Sequence, residues 1–386
     1  MQRACGEDLL QMNSDRERIK SLQALRAMAF LGIFFAHANF FISWSALGVS
    51  VFYVLSGFLM MNTRQNQEWK PSAGNSLKFA IGKIKRLYPL HIVTMVFAVI
   101  LSLAVMLWHG EGIKSYLELA GEIVLHILLF QTWVPHASVS VSLNGVAWYL
   151  SAAAFLYFVF PYAASWLWRK RNSFLVFLCV AILGMEILSC IPFIYFLGEN
   201  SFVYIWFMYF FPVFRLGDFV IGCCFGKIYG ERAAGAEPGL RGGLSLKYSA
   251  MELAVTALTV GVLLWMKHGS HTGIVLTAFC NWTTLYIPLA VVWTYLFTVN
   301  RGVITYFLNN RLLVGLGNIS GYIFLIHYVV ILYVNNMLNF LDMELSDGWR
   351  AAVAVLELGA SIISALIYMA IEKRVRKTFS KGKGMT

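Results

Sequence analysis

Apolar runs long enough to cross a bilayer recur along almost the whole chain, separated by short polar connections. A helical span needs about 17–25 predominantly apolar residues. The segments that meet this pattern are 22–41, 46–62, 87–108, 117–134, 146–168, 173–197, 202–226, 249–266, 273–298, 312–334 and 350–371. Basic residues are unevenly spread between them. They gather in the N-terminal tail (Arg3, Arg16, Arg18, Lys20), in the 63–86 connection (Arg64, Lys70, Lys78, Lys83, Lys85, Arg86) and at Arg169-Lys170-Arg171. They gather again in 227–247, at Arg301 and Arg311, and from Lys373 to Lys383. The other connections carry only Lys114, Lys267 and Arg350, beside Asp342, Glu344 and Asp347.

Cytoplasmic connections hold the Lys/Arg excess of a membrane protein. If every segment spanned, Arg169–Arg171 would share a side with Lys114 and the later bias would invert. Leaving out 117–134, which contains Glu118, Glu122 and His126, returns every basic connection to the cytoplasm. The pattern therefore predicts an all-α polytopic membrane protein: ten transmembrane helices, both termini cytoplasmic, and a re-entrant or interfacial segment near 117–134. The expected organisation is a cytoplasmic tail over 1–21, a membrane domain over 22–372 and a basic cytoplasmic tail over 373–386.

Composition supports this picture. Hydrophobic residues make up 59% and charged residues 13%, against about 25% charged in soluble domains; mean hydropathy is +0.69. The first twenty residues are polar and the first apolar run is too long for a signal-peptide core, so no cleavable signal peptide is expected. The net charge of +11 is mostly the cytoplasmic bias and suits contact with anionic membrane lipids. No nucleic-acid-binding motif accompanies it. The six cysteines lie mainly in apolar segments without a CxxC pair, which points to packing, not disulfides or a metal site. Walker, G-x-S-x-G, H-E-x-x-H and GxGxxG motifs are all absent, and no metal cofactor is expected.

Arg26 and His37 lie eleven residues apart within 22–41. Eleven helical steps are roughly 20° past three full turns and roughly 16 Å of rise, so the two side chains share a face. An ionisable residue inside a membrane segment is costly and marks a site by default. His37 can pass a proton as general acid or base or simply pack; Arg26 can hold a phosphate through its guanidinium fork or snorkel to the surface. Ser56 and Gly57 end the second run, where Gly permits close helix approach and Ser can bond across helices or touch substrate. Lys83 and Arg86 share a helix face and read either as membrane anchors or as a polyanion clamp. Arg215 and Asp218 have i,i+3 spacing inside an apolar run, as a structural ion pair or as site residues. His327 lies mid-segment, as a second site residue or a core contact. Trp148 and Tyr149 open a segment at the outer face, as belt anchors or as an aromatic platform for a sugar.

These residues fall in blocks resembling the acyltransferase-3 family of integral membrane acyltransferases, the O-acetyltransferases of bacterial surface polysaccharides. The blocks are Leu22-Gln23-Ala24-Leu25-Arg26 running to His37, Gly48 to Phe58, Lys83 to Pro89, Trp148 to Pro161, Arg215 to Gly222, and Ile319 to His327. They follow the family's order over nearly the whole chain. The resemblance implies acyl-CoA as donor, His37 as the essential catalytic residue with Arg26 as its partner, and a multi-pass position in a bacterial inner or plasma membrane. Departures are Lys83 in place of the first Arg of the basic pair, Ala153 where many members have Glu, Asp218 where Glu is common, and Glu372 followed by Lys373-Arg374. The chain also ends without the extracytoplasmic SGNH hydrolase-like domain of some members, so the acceptor step is expected within the membrane domain or with a separate extracytoplasmic or biosynthetic partner.

The resulting expectation is an O-acetyltransferase with acetyl-CoA docked from the cytoplasm. Arg86, Lys83 and Arg26 hold its phosphates, and Ser56 contributes on the donor side. His37 acts as general base or transient acyl carrier near the outer leaflet. Trp148, Tyr149, Arg215, Asp218 and His327 support a carbohydrate or glycolipid acceptor. The alternative is a transporter or flippase for a lipid-linked glycan with Arg26, His37 and Arg215 as a relay; a membrane sensor or scaffold with an inactive site stands third.

Overall fold

The computed structural model describes residues 2–40, 42–63, 69–234, 243–268 and 273–382, and among these the chain forms only helices and turns. Arg64, Arg241 and Lys383, which contribute to the expected charge bias, lie outside the described residues. The helices are α1 (Gln2–His37), α2 (Ile42–Asn62), α3 (Ala73–Ile84), α4 (Tyr88–His109), α5 (Ile113–Leu128), α6 (Ala137–Ser140), α7 (Trp148–Leu167) and α8 (Asn172–Leu197). They continue as α9 (Phe202–Ile205), α10 (Leu216–Ala234), α11 (Leu246–His268), α12 (Ile274–Phe279), α13 (Tyr286–Val299), α14 (Val303–Leu308), α15 (Arg311–Phe340) and α16 (Asp347–Gly382).

Among the described residues, seven helical stretches are long and apolar enough to cross a membrane: Trp44–Asn62, Tyr88–His109, Gly145–Leu167, Asn172–Leu197, Leu246–His268, Arg311–Phe340 and Asp347–Thr378. Three expected spans are not among them, and each has a physical reason. Of the span 22–41, residues 22–37 form the C-terminal part of α1, and they carry Arg26. The span 202–226 is interrupted: α9 runs into a π-helical turn at Trp206–Phe210, and α10 begins only after Pro212 and Arg215. The span 273–298 breaks between α12 and α13, where Asn281 Oδ1 accepts from the backbone N–H groups of Thr283 and Thr284 at 2.8 and 2.7 Å. Segment 117–134 divides into α5, which ends at Leu128, and a 3-10 turn at Gln131–Trp133.

The core is built on α1 and α2. The first packs against α2, α13 and α15, the second also against α10. Small residues let these helices approach. A Cβ on Gly57 would strike the carbonyl oxygen of Phe219, one on Gly222 that of Val54, and one on Gly317 that of Gln23. Close backbone approach through small residues is how helices associate where lipid offers no hydrophobic drive. Gly222→Ala should accordingly lower stability by roughly 1–3 kcal/mol, the usual cost of overpacking. Thermal unfolding in detergent reads this directly, and an unchanged midpoint would show that α2 and α10 have room to separate.

Candidate functional site

α1 stops at His37 because the next residues cap it. Asn39 is in the left-handed region at φ +69°, and the N–H of Phe40 reaches the carbonyl of Phe35 at 2.9 Å, the pattern that closes a helix C-terminus. His37 thus occupies the last turn, half-buried. Its Nδ1 lies 3.0 Å from Nε2 of His327 on α15. The two rings meet edge to edge, near coplanar at 28° with centroids 5.2 Å apart, and Tyr328 meets His37 edge-on at 5.3 Å. His327 is fully buried among Phe30, Phe34 and Phe324, with centroids 5.5 to 6.0 Å away. Its second nitrogen, Nδ1, lies 3.3 Å from the carbonyl oxygen of Ile323.

An aromatic wall continues inward. Phe324 packs on Tyr149 at 5.4 Å, and Tyr149 stacks on Tyr53 at 4.5 Å. Tyr53 lies under the Arg215 guanidinium at 4.8 Å. Arg215 pairs with Asp218 at 2.7 Å, both side chains wholly buried, and donates to Thr283 Oγ1 at 2.6 Å. Thr284 donates to Glu186 at 2.8 Å, and a Cβ on Gly217 would collide with that carboxylate. This cluster joins the two helix breaks: Arg215 precedes α10 and Thr283 precedes α13. The break residues thus supply partners for one another, in keeping with the demand for internal pairing in a membrane interior.

Arg26 is half-buried on α1. Its Nε has no hydrogen-bond partner among the described residues. Ser56 Oγ lies 3.5 Å from Tyr157 OH, facing α7. Trp148, expected at the outer face, is buried against Tyr209 and Phe210. Lys83 lies over the Phe79 ring at 5.5 Å.

At the other end of the bundle a cavity of about 610 Å³ is lined by Arg86, Tyr322, Met369, Glu372, Lys373, Arg376 and Lys377. Arg86 Nε donates to Tyr322 OH at 3.1 Å, and that hydroxyl donates to Glu372 at 3.1 Å. Arg376 holds the other Glu372 oxygen at 2.6 Å. Four cations therefore face one carboxylate that is already engaged. The structure brings Arg86 together with the last turns of α16, which the sequence reading had not joined to any site, and leaves Lys83 and Ser56 outside the lining. Tyr322 stands five residues before His327 on α15, roughly 7.5 Å along the axis. Among the described residues no group of three or more His, Cys, Asp or Glu could hold a metal ion.

Residues 19–371 match the acyltransferase-3 family model, described as an acyltransferase domain. The chain is 25% identical over 366 residues to acyltransferase MdmB of Streptomyces mycarofaciens, covering 87% of this chain and 85% of that protein. It is 24% identical over 336 residues to O-acetyltransferase OatA of Staphylococcus aureus, covering 82% of this chain but 51% of the relative. It is 33% identical over 122 residues to peptidoglycan O-acetyltransferase OatA of Listeria monocytogenes, a match over 31% of this chain and 18% of that one. No solved structure matches the chain.

The buried Arg215–Asp218 pair supplies a test of the cluster. Asp218→Asn leaves the guanidinium uncompensated and should destabilise the protein by about 3–5 kcal/mol, whereas replacing both partners with apolar residues should cost less. Unfolding in detergent of the two single variants and the double variant measures the coupling. Additive effects would mean that the pair contributes nothing as a pair.

Proposed function

Since this chain belongs to the acyltransferase-3 family and is an O-acyltransferase, we propose that it moves an acetyl group from cytoplasmic acetyl-CoA to a hydroxyl of a cell-surface or lipid-linked carbohydrate. The observation that carries this reading is the half-buried His37 imidazole, hydrogen-bonded to a second histidine on α15 five residues beyond Tyr322, which lines a basic cavity. The proposed topology has ten membrane crossings, including α1 and the two interrupted spans, both termini in the cytoplasm and residues 117–134 re-entrant or interfacial. The enzyme then resides in the bacterial plasma membrane, where a carbohydrate acceptor is met at the outer face. A separate extracytoplasmic or biosynthetic protein presents or receives that acceptor.

The donor's phosphates dock at Arg86, Lys373 and Arg376, with Arg26 and Lys83 adding positive charge nearby. Arginine suits this role because its fork makes paired charge-assisted bonds to phosphate oxygens. Gln23 abuts Gly317 and His37 meets His327, so α1 and α15 run side by side in the same direction. Arg26 therefore comes near the level of residues 319–322, beside the cavity's inner wall and roughly three turns from His37. The pantetheine arm follows that line and delivers the thioester to His37. His37 takes the proton of the acceptor hydroxyl, the oxygen attacks the thioester carbon, and the tetrahedral adduct expels CoA thiolate. The thiolate recovers the proton from the imidazolium, so acetyl ester and free CoA are the products.

His37→Gln should reduce the acetyl content of surface glycan by about 10²–10⁴-fold, the usual cost of losing a positioned base, with the protein still accumulating. The helix breaks with buried charge at 206–215 and 280–285 favour a second reading, because transporters use discontinuous helices in this way. A flippase relaying through Arg26, His37 and Arg215 would lose glycan export instead, so acetyl groups per exported glycan separate the two. A wild-type ratio in His37→Gln cells would defeat the transferase assignment of this residue.

On the donor side, Arg86→Ala and Arg376→Ala should each raise the KM for acetyl-CoA by roughly 10-fold or more, the loss of one charge-assisted contact. Unchanged donor affinity by calorimetry would return both residues to membrane anchoring. Cysteines introduced at Asn75 and Asp347 test the topology: only the second should react with an impermeant reagent in intact cells. Labelling at Asn75 would overturn the cytoplasmic position of the 63–86 connection.

A further inference from the structure

The pairing of His37 with His327 goes beyond assigning a base, although it rests on that reading. Nδ1 of His327 faces the carbonyl oxygen of Ile323 at 3.3 Å. A carbonyl only accepts, so this nitrogen carries the proton. In a neutral imidazole the other nitrogen is then an acceptor. Nε2 of His327 lies 3.0 Å from Nδ1 of His37, which must therefore be the donor. The chain of hydrogen bonds runs one way, from His37 through His327 to a backbone oxygen. We propose that His327 is a positioning residue that locks His37 in its Nδ1–H tautomer, leaving the Nε2 lone pair pointed away from the pair as the proton acceptor of the transfer reaction.

A histidine suits this place better than the carboxylate of a Ser-His-Asp arrangement. His327 is fully buried among Phe30, Phe34 and Phe324, where an ionised carboxylate would carry a desolvation cost of several kcal/mol. A neutral ring accepts on one side and donates on the other without adding charge. The rings lie near coplanar at 28° with centroids 5.2 Å apart, which aligns the N–H with the facing lone pair, and Tyr328 bounds His37 on another side. When His37 takes up the acceptor's proton, its Nδ1–H becomes a charged donor and the bond to His327 strengthens. The interaction is worth more in the transition state than in the ground state, so its loss falls on kcat and not on donor binding.

Selective variants read this out. Phe at 327 keeps the ring volume and removes the acceptor. Gln can present Oε1 where Nε2 stood, whereas Asn is too short to reach His37. With thiol release from acetyl-CoA in proteoliposomes, and total surface glycan from a strain lacking the gene as acceptor, His327→Phe and His327→Asn should lower kcat by at least about 10²-fold, as expected when a catalytic imidazole loses control of its tautomer. Their KM for acetyl-CoA should stay unchanged, and His327→Gln should return kcat to within about 10-fold of wild type. Nitrogen-15 NMR of the histidine-labelled wild-type protein, with the His37 signals identified by their loss in His37→Gln, should show a protonated Nδ1 and an unprotonated Nε2. The NMR measurement needs no altered residue at 327 and stands if those variants fail to fold. A His37 protonated at Nε2 in the wild type, or His327→Phe with wild-type kcat beside an inactive His37→Gln, would overturn the positioning role and leave the base reading intact. An active His37→Gln would instead remove the base reading on which the proposal rests.

Discussion

A polar group inside an apolar membrane domain has no water to turn to, and its partner must come from the protein itself. Most of what is distinctive in this chain follows from that constraint. The two interrupted helices are tolerable because the groups released at the breaks meet each other: Arg215 reaches Asp218 and Thr283, and Asn281 holds the turn that precedes α13. His327 is tolerable in a wholly buried position because both of its nitrogens face polar atoms. Close packing at Gly57, Gly222 and Gly317 lets α1, α2, α10 and α15 bring these partners within hydrogen-bonding distance.

Arg26 lies on the same face of α1 as His37, and its Nε is one of several buried polar atoms without a hydrogen-bond partner among the described residues. A guanidinium with an unused donor can take up an incoming anion through charge-assisted bonds. Under the proposed reading that anion belongs to the donor, and Arg26 is unsatisfied in the free protein because its partner is a substrate. Arg86 has the contrary character: it lies against Tyr322 by a hydrogen bond and a ring contact at 5.3 Å, already oriented before any ligand arrives.

Much of this was legible from local spacing. The eleven-residue interval from Arg26 to His37 requires one continuous helix, and α1 supplies it. Glu118, Glu122 and His126 set 117–134 apart from the apolar runs around it, and its helix stops at Leu128. The family followed from blocks in order. The breaks were not legible, since a hydropathy window passes over Arg215 or Asn281 without registering that the backbone turns there. Nor was the partner of His37, because His327 is 290 residues away and a lone intramembrane histidine reads equally as packing. Composition changes sharply at Lys373, and spacing alone did not show that α16 runs on to Gly382 with residues 369–377 lining the cavity beside Arg86.

The two ends of the bundle impose a direction on the proposed reaction. The cavity is open and basic; His327 is enclosed by phenylalanines and His37 is half-buried beside it. A large, highly charged donor can enter the first and not the second, so only its narrow thioester arm can reach His37. Tyr322 and His327 lie on one helix, roughly 7.5 Å apart along the axis, so that arm needs to travel little more than a turn beyond the cavity's inner wall. The acceptor must then approach Nε2 of His37 from the side opposite His327, where α1 ends and the chain turns through Asn39. Under the proposed reading donor and acceptor thus meet at one imidazole from opposite sides, and an acetyl group changes sides of the membrane while the CoA that carried it stays where it entered.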